Sequence, residues 1–144
     1  MWRELIHGVA PDCVFAEPAS AVRLGEAERS LSLGFPAELR SLLLETDGVL
    51  GKNELGLIWP LARIEADNLS FRSNSDFAEL YMPFDPLLFF ADAGNGDQFA
   101  FSVLQGAVSR SDIFAWDHED DSRFWVAPSL EKYLEWWLVG KIQI

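Results

Sequence analysis

The chain has 144 residues, of which 49% are hydrophobic and 13% aromatic, a composition that suits one domain with a sizeable core and excludes a disordered protein. Its 23 acidic and 11 basic residues give a formal net charge of -12, which disfavours direct binding to nucleic acid or to an anionic membrane. No apolar run approaches the roughly 20 residues of a membrane-spanning helix, no secretory signal is recognisable, and the single Cys13 cannot form an intrachain disulfide, so we expect a cytoplasmic protein.

The first part of the chain predicts a helix after an irregular start. Residues 1–18 show little periodicity and leave open only a short strand or helix at Leu5 to Val9. From Ala19, apolar residues recur at helical spacing, and Gly34 is a typical residue just past a helix end. We therefore expect a first helix between these two residues.

A second helix is predicted to follow at once. Pro36 suits a first helical position, because the N–H that proline lacks would be unpaired there. Leu39, Leu42 and Leu43 mark the buried face, and Asp47-Gly48 is a stop-and-turn signal. The two short helices are expected to form a helical hairpin.

The middle of the chain predicts one short strand and one further helix. Residues 55–59 have the pattern of a strand closed by Pro60, and residues 61–71 have the pattern of a helix. Residues 72–76 are polar, so we expect them to form a loop.

A strong β-hairpin signal lies at the centre of the chain. Leu87 to Ala91 is an apolar run typical of a strand buried on both faces, and residues 98–103 alternate as on a half-solvated antiparallel strand. Two glycines between these strands suit a tight turn, and we expect at least one of them at positive φ. The turn is expected to place Asp92 and Asp97 at one rim of a sheet.

Two more strands and a final helix complete the predicted fold. Strands are expected at residues 111–116 and 123–126, and Ser129 is a good N-cap for the last helix. The buried face of that helix is predicted to contain Leu130, Tyr133, Leu134, Trp137 and Leu138. Together the elements predict one α+β domain over residues 1–144. It would have an antiparallel-rich sheet of about four to six strands, flanked by the N-terminal helical hairpin and the C-terminal helix.

The sequence contains no constellation typical of an enzyme or of a metal site. The two histidines, His7 and His118, lie far apart, Cys13 has no recognisable nucleophile setting, and phosphate-binding loop motifs are absent. The segment Asp92–Asp97 resembles part of a calcium loop but lacks the distal Glu, and Asp117–Asp121 would be a loose cage for a divalent ion. We therefore expect no catalytic residue, no metal site and no cofactor.

An acidic segment is the candidate partner-binding site. No Lys or Arg lies between Asp112 and Asp121, and Trp116 and Trp125 flank the acidic turn. Aromatic residues beside charges are typical of interface hot spots but also of core strands that end in a solvated loop, so both interpretations stay open. The net charge of -12 likewise fits either a basic partner or simple solubility. The residues expected to contact a partner, on one exposed rim, are Asp112, Asp117, His118, Glu119, Asp120 and Asp121.

Several motifs, in this order, resemble one family. They are Leu33-Gly-Phe-Pro36, Asp47-Gly48, Phe89-Phe-Ala-Asp-Ala-Gly-Asn-Gly-Asp97, Ile113-Phe-Ala-Trp-Asp-His118 and Ser129-Leu-Glu-Lys-Tyr-Leu134. Over about residues 19–139, the chain resembles the SUKH superfamily, in its branch related to the fungal Smi/Knr cell-wall regulators. Phe35 stands where the family pattern has Leu, and Asp47 where it has Asn, but both replacements keep the local physics of a corner and a turn.

The resemblance implies a non-enzymatic α+β domain with a protein partner. Bacterial members of the family commonly act as immunity proteins, which bind and neutralise a cognate polymorphic toxin, often a nuclease. Toxins that act on nucleic acid tend to carry basic clefts, so an acidic inhibitor would be electrostatically suited to them. The alternative is a regulatory or scaffold protein of the same fold with no toxin partner.

Overall fold

The computed structural model describes residues 1–144, which form six α-helices and seven β-strands. The helices are α1 (Trp2–Val9), α2 (Ala21–Leu31), α3 (Ala37–Leu43), α4 (Leu61–Ser73), α5 (Ser75–Leu80) and α6 (Leu130–Leu138). The strands are β1 (Val14–Phe15), β2 (Val49–Leu50), β3 (Gly56–Ile58), β4 (Leu87–Asp92), β5 (Gln98–Ser102), β6 (Ile113–Trp116) and β7 (Arg123–Ala127).

The strands belong to two antiparallel sheets, one with the order β1-β2-β3 and one with the order β4-β5-β6-β7. The sheets approach each other just past β3, where Trp59 N donates to Phe90 O at 2.8 Å. The predicted α+β class is confirmed, but two sheets with seven strands replace the expected single sheet of about four to six. Strands β1 and β2 have only two residues each, too few for an alternating pattern to reveal them.

Strand β4 is buried on both faces because helices cover both sides of the large sheet. Phe89 contacts Phe71 of α4 at 5.2 Å between ring centroids, and Phe90, on the opposite face, contacts Tyr133 of α6 at 5.3 Å. The predicted two-sided burial of this strand is confirmed. The expectation that β5 is half-solvated is wrong at its centre, because Ala100 pairs with Phe89 on the covered face and is fully buried.

Asn68 is a buried polar side chain that joins α4 to β4. Its amide nitrogen donates to Ile64 O at 2.7 Å and to Phe89 O at 2.9 Å, and its amide oxygen accepts from Phe89 N at 2.9 Å. Both ends of the amide are thus satisfied inside the core, where an unpaired polar group would cost about 1–3 kcal/mol.

The predicted helical hairpin of α2 and α3 is present, with shifted ends. Helix α2 ends at Leu31, and Ser32 takes the left-handed conformation at φ 52°, so the helix stops before Gly34. Pro36 is the N-cap residue of α3 rather than its first helical residue. Gly48 follows with φ 91°, where an added Cβ would lie 2.8 Å from Pro60 N, so the turn after α3 requires glycine.

Two helices were not predicted as such. Helix α1 begins at Trp2 and buries Trp2 and Ile6, whereas the sequence indicated at most a short strand or helix at Leu5 to Val9. Residues 72–76 are not a loop, because α4 continues to Ser73 and α5 begins at Ser75. Asn74 between them caps α5 by accepting from the backbone N–H groups of the following turn.

Helix α6 agrees with its prediction in its N-cap and in three of the five residues expected on its buried face. Ser129 Oγ accepts from Lys132 N at 3.1 Å as the N-cap. Leu130, Tyr133 and Leu134 are buried, whereas the two residues expected at the end of the same face, Trp137 and Leu138, are only partly buried against the core. None of the six helices combines the length and the apolar character needed to cross a membrane.

Candidate functional site

The acidic turn, defined as Asp117–Asp121, lies at one end of β6 in the large sheet. Asp117 directly follows the strand, whereas Asp112 directly precedes it. The two therefore lie at opposite ends of β6, and the expectation that Asp112 shares one rim with the acidic turn is wrong. Asp112 and Asp117 are five residues apart along this extended segment. At about 3.3 Å per residue, that places them roughly 17 Å apart.

The glycine turn between β4 and β5 lies beside the acidic turn, because Gln98 pairs with Trp116 in neighbouring strands. Gly94 and Gly96 have φ of 97° and 98°, as predicted for at least one of them. A Cβ on Gly96 would lie 2.7 Å from Cε1 of His118. Glycine is required there both for its backbone conformation and for the close approach of the imidazole ring.

His118 is bonded to Asp97 across these two turns. Asp97 is only 6% exposed, and its Oδ1 accepts from His118 N at 3.1 Å and lies 2.6 Å from His118 Nδ1. The hydrogen bond to Asp97 raises the pKa of His118, and the charges of Asp97, Glu119 and Asp117 raise it further. His118 is thus an anchor between turns rather than only a solvated turn histidine.

Asp121 holds the acidic turn to the segment that follows α5. Its Oδ1 accepts from Trp116 Nε1 at 2.8 Å and from an Arg123 Nη at 3.0 Å, and its Oδ2 accepts from Met82 N at 2.9 Å. Burial acts to raise the pKa of Asp121, but these hydrogen bonds outweigh it and the pKa is lowered. Asp121 therefore stays charged, and its carboxylate holds the acidic turn in place.

The remaining carboxylates of the turn are closer to solvent. Asp117 accepts from Glu119 N at 2.8 Å, and Asp120 accepts from Ser122 N at 2.9 Å and from its hydroxyl at 2.6 Å. These local bonds shape the turn without neutralising it, and Ser122 lowers the pKa of Asp120. Glu119 and Asp120 are exposed and belong to no ion pair, so their charges are available to a partner.

Asp112 belongs to a different surface. Its Oδ2 accepts from Arg110 Nε at 2.6 Å, and its Oδ1 accepts from Trp125 Nε1 at 3.1 Å. These two bonds lower the pKa of Asp112, with the bond from Trp125 contributing most. No Lys or Arg lies between Asp112 and Asp121 in the sequence. Two arginines just outside this stretch nevertheless form ion pairs with its end residues, Arg110 with Asp112 and Arg123 with Asp121.

One group of side chains has the spacing of metal ligands. Ligand atoms of Asp97, Asp117 and His118 all lie within 4.8 Å of one another. In this arrangement Nδ1 of His118 is already bonded to Asp97, so a metal would have to replace that hydrogen bond. The sequence had grouped His118 with Asp117–Asp121 and had not connected it to Asp97.

Sequence reasoning also missed the residues beside the acidic turn. Tyr81, just after α5, donates its hydroxyl to His118 O at 2.9 Å, so α5 lies next to the turn. Helix α5 carries two exposed carboxylates, Asp76 and Glu79, neither of which belongs to an ion pair. The sequence did hold a signal for this region, since no Lys or Arg occurs from residue 73 to residue 109.

A comparison with protein families supports the resemblance noted from the motifs. The family model described as SUKH_6, SMI1-KNR4 cell-wall, matches residues 23–134. The matched range runs from α2 into α6 and includes both turns at the end of the large sheet. A comparison with curated proteins found no match.

Proposed function

Because the chain belongs to the SUKH family of SMI1-KNR4 proteins, we propose that it is an immunity protein that binds and neutralises a cognate polymorphic toxin. The proposed toxin is a basic protein, of which a nuclease is the expected kind. Neutralisation would occur in the cytoplasm by stoichiometric contact, without a catalysed step, a cofactor or a membrane.

The observation that carries the proposal is the negative charge presented around the acidic turn. Glu119 and Asp120 on the turn, and Asp76 and Glu79 on α5, are exposed and belong to no ion pair. Unpaired charges of one sign steer a partner of the opposite sign and raise its association rate. A nuclease offers such a partner, because its nucleic-acid site must itself be basic.

The geometry around His118 is consistent with binding rather than catalysis. Its Nδ1 is held by buried Asp97, and no hydroxyl or thiol is hydrogen-bonded to its outer nitrogen. A histidine that activates a nucleophile needs that group within hydrogen-bonding reach. The histidine bond instead keeps the acidic turn in place beside the glycine turn.

The test is expression of the protein encoded by the adjacent gene, alone and together with this chain. We expect the adjacent product to stop growth alone, to be tolerated when co-expressed, and to purify with this chain in equal amounts. Toxicity that persists in the presence of folded protein would overturn the immunity proposal. A harmless adjacent product that still forms the complex would favour the alternative, a regulatory or scaffold protein of the same fold.

A further inference from the structure

An apolar groove lies directly beside the acidic turn. We name it the α5 groove, because it runs between α4, α5 and the segment after α5, with a volume of about 200 Å³. Its apolar lining consists of Phe71, Phe77, Ala78, Tyr81, Met82 and Phe84. The volume is below the roughly 300–1,000 Å³ of small-molecule sites, so the groove suits one inserted side chain rather than a cofactor.

The walls of the α5 groove are preformed by aromatic packing. Phe77 contacts Phe71 at 5.1 Å and Tyr81 at 5.6 Å between ring centroids, both edge to face. Phe84 lies 5.6 Å from Tyr81 and 5.3 Å from Trp116. Because Tyr81 also bonds His118 O, the groove and the acidic turn form one continuous surface. A preformed groove loses little conformational freedom when a partner binds.

Two large apolar side chains are exposed at the edge of this surface. Leu80 is 71% exposed and Met82 is 68% exposed. Single exposed apolar residues are common, but here Met82 lines an apolar groove and Leu80 directly precedes the lining residue Tyr81, and larger exposed apolar patches mark interaction sites. Met82 contributes its side chain to the groove itself, and methionine adapts well to the shape of a partner.

The charges around the α5 groove select the kind of partner. Asp76 and Glu79 are exposed on α5, and Asp85 is exposed on the lining of the groove. None of the three belongs to an ion pair, and Glu119 and Asp120 lie on the adjoining turn. Arg72 and Asp85 both line the groove itself, so the groove offers an inserted Lys or Arg no excess of negative charge. The favoured occupant is therefore an apolar side chain, with basic residues around it on the partner.

We infer that the α5 groove is the anchor point for the basic protein partner, which packs one large apolar side chain into the groove against the walls formed by Phe77, Tyr81 and Phe84. Its Lys and Arg residues would meet the carboxylates of α5 and of the acidic turn. The inference rests on the proposed function and specifies its contact surface. Large side chains packed in central pockets, within a polar rim, are the usual arrangement of interface hot spots.

The test measures binding of the adjacent gene's product, in a catalytically inactive form, to two variants of this chain. Leu80→Ser with Met82→Ser removes the exposed apolar edge, and Ala78→Phe fills the groove from an exposed position of α5. We expect each to weaken affinity at least about tenfold, mainly through faster dissociation, with an unchanged salt dependence of association. The control, Val22→Ser with Leu104→Ser, removes two exposed apolar side chains elsewhere and should bind as the wild type.

The outcomes separate the groove from the proposed function. If the wild type and both variants bind equally well, the groove is not the anchor, although the proposed function stands. If the wild type does not bind the adjacent product, the proposed function fails and the anchor fails with it. Thermal unfolding of each variant is measured alongside, and a variant that melts like the wild type but binds weakly supports the groove.

Discussion

The two ends of β6 carry the same three residue types in different surroundings. At one end, Asp121 accepts from Trp116 and Arg123, and at the other, Asp112 accepts from Trp125 and Arg110. We call these the turn triad (Trp116, Asp121, Arg123) and the edge triad (Trp125, Asp112, Arg110). The turn triad contains a buried tryptophan, whereas the tryptophan of the edge triad lies on edge strand β7 and is 50% exposed.

The two triads differ in the burial of the tryptophan and of the arginine, whereas the side chains of Asp121 and Asp112 are almost equally exposed, at 14% and 15%. Trp116 contacts Phe84 at 5.3 Å, Phe89 at 5.6 Å and Phe71 at 5.9 Å, so its indole is enclosed by the core. Trp125 contacts Trp136 at 6.5 Å between ring centroids, and it remains 50% exposed. Arg123 has 17% of its side chain exposed and Arg110 has 67%. An ion pair at an exposed site is screened and contributes little, whereas a partly buried group is costly to leave unpaired.

The largest expected difference between the triads is that between their tryptophans. Trp116→Ala should lower the free energy of unfolding by about 3–5 kcal/mol, because it empties an enclosed aromatic site. Trp125→Ala should lower it by about 1 kcal/mol or less, since half of that side chain is already solvated. Urea denaturation of both variants measures the two changes in the free energy of unfolding. Equal changes would contradict the claim that Trp116 is enclosed by the core and Trp125 is not.

The aspartates should differ in the same direction. Asp121→Asn should cost about 1–3 kcal/mol, because the amide has one acceptor oxygen in place of two, so its NH2 group faces another donor, either Met82 N or Trp116 Nε1. Asparagine tolerates the left-handed backbone of this residue, at φ 62°, so the substitution tests the charge and not the turn. Asp112→Asn is the matched control and should shift the urea midpoint less than Asp121→Asn does. A larger shift for the control would show that Asp112, and not Asp121, contributes more to stability.

Only the turn triad lies next to a group that titrates near neutral pH. The hydrogen bond to Asp97 raises the pKa of His118 in the folded protein. Protonated His118 therefore stabilises the fold fully below the unfolded pKa of about 6.5, and this stabilisation is lost as pH rises through the folded pKa. The melting temperature of the wild type should therefore fall with rising pH relative to His118→Gln across this window. Asp112→Asn should keep the wild-type pH profile, and a His118→Gln profile parallel to the wild type would show that the bond does not contribute.

The smallest expected effect concerns the exposed charges of the acidic turn. Glu119→Gln with Asp120→Asn should change stability only slightly, because an asparagine Oδ1 can still accept from Ser122. It should slow association with the adjacent gene's product by a few-fold at low salt and flatten the salt dependence of that association. Asp121 is kept intact, because its carboxylate belongs to the turn triad. Glu4→Gln with Asp12→Asn changes the same number of charges at exposed positions near the N-terminus and serves as the control. Equal association rates for both double variants would show that the acidic turn does not steer the partner.

The sequence by itself determined most of the local structure. The central hairpin, strands β6 and β7, the helical hairpin and α6 all follow from patterns within about ten residues, because periodicity and turn residues act on neighbouring backbone. The ordered motifs also identified the family over most of the chain. The elements it missed are short or have few distinguishing residues, such as two-residue β1 and β2 and the cap at Asn74 that begins α5.

The tertiary structure alone decided which acidic residues are available for binding. In sequence, Asp112 and Asp117–Asp121 form one acidic run, but in the fold the two ends of this run lie at opposite ends of β6. The arginine that pairs with each end is only two residues away in sequence, so these two pairings are local. His118 meets Asp97 and Asp121 meets Met82 N across 21 and 39 residues, respectively. Such contacts depend on strand register and on how helices cover a sheet, which no local pattern encodes, because each is set by the packing of the whole core.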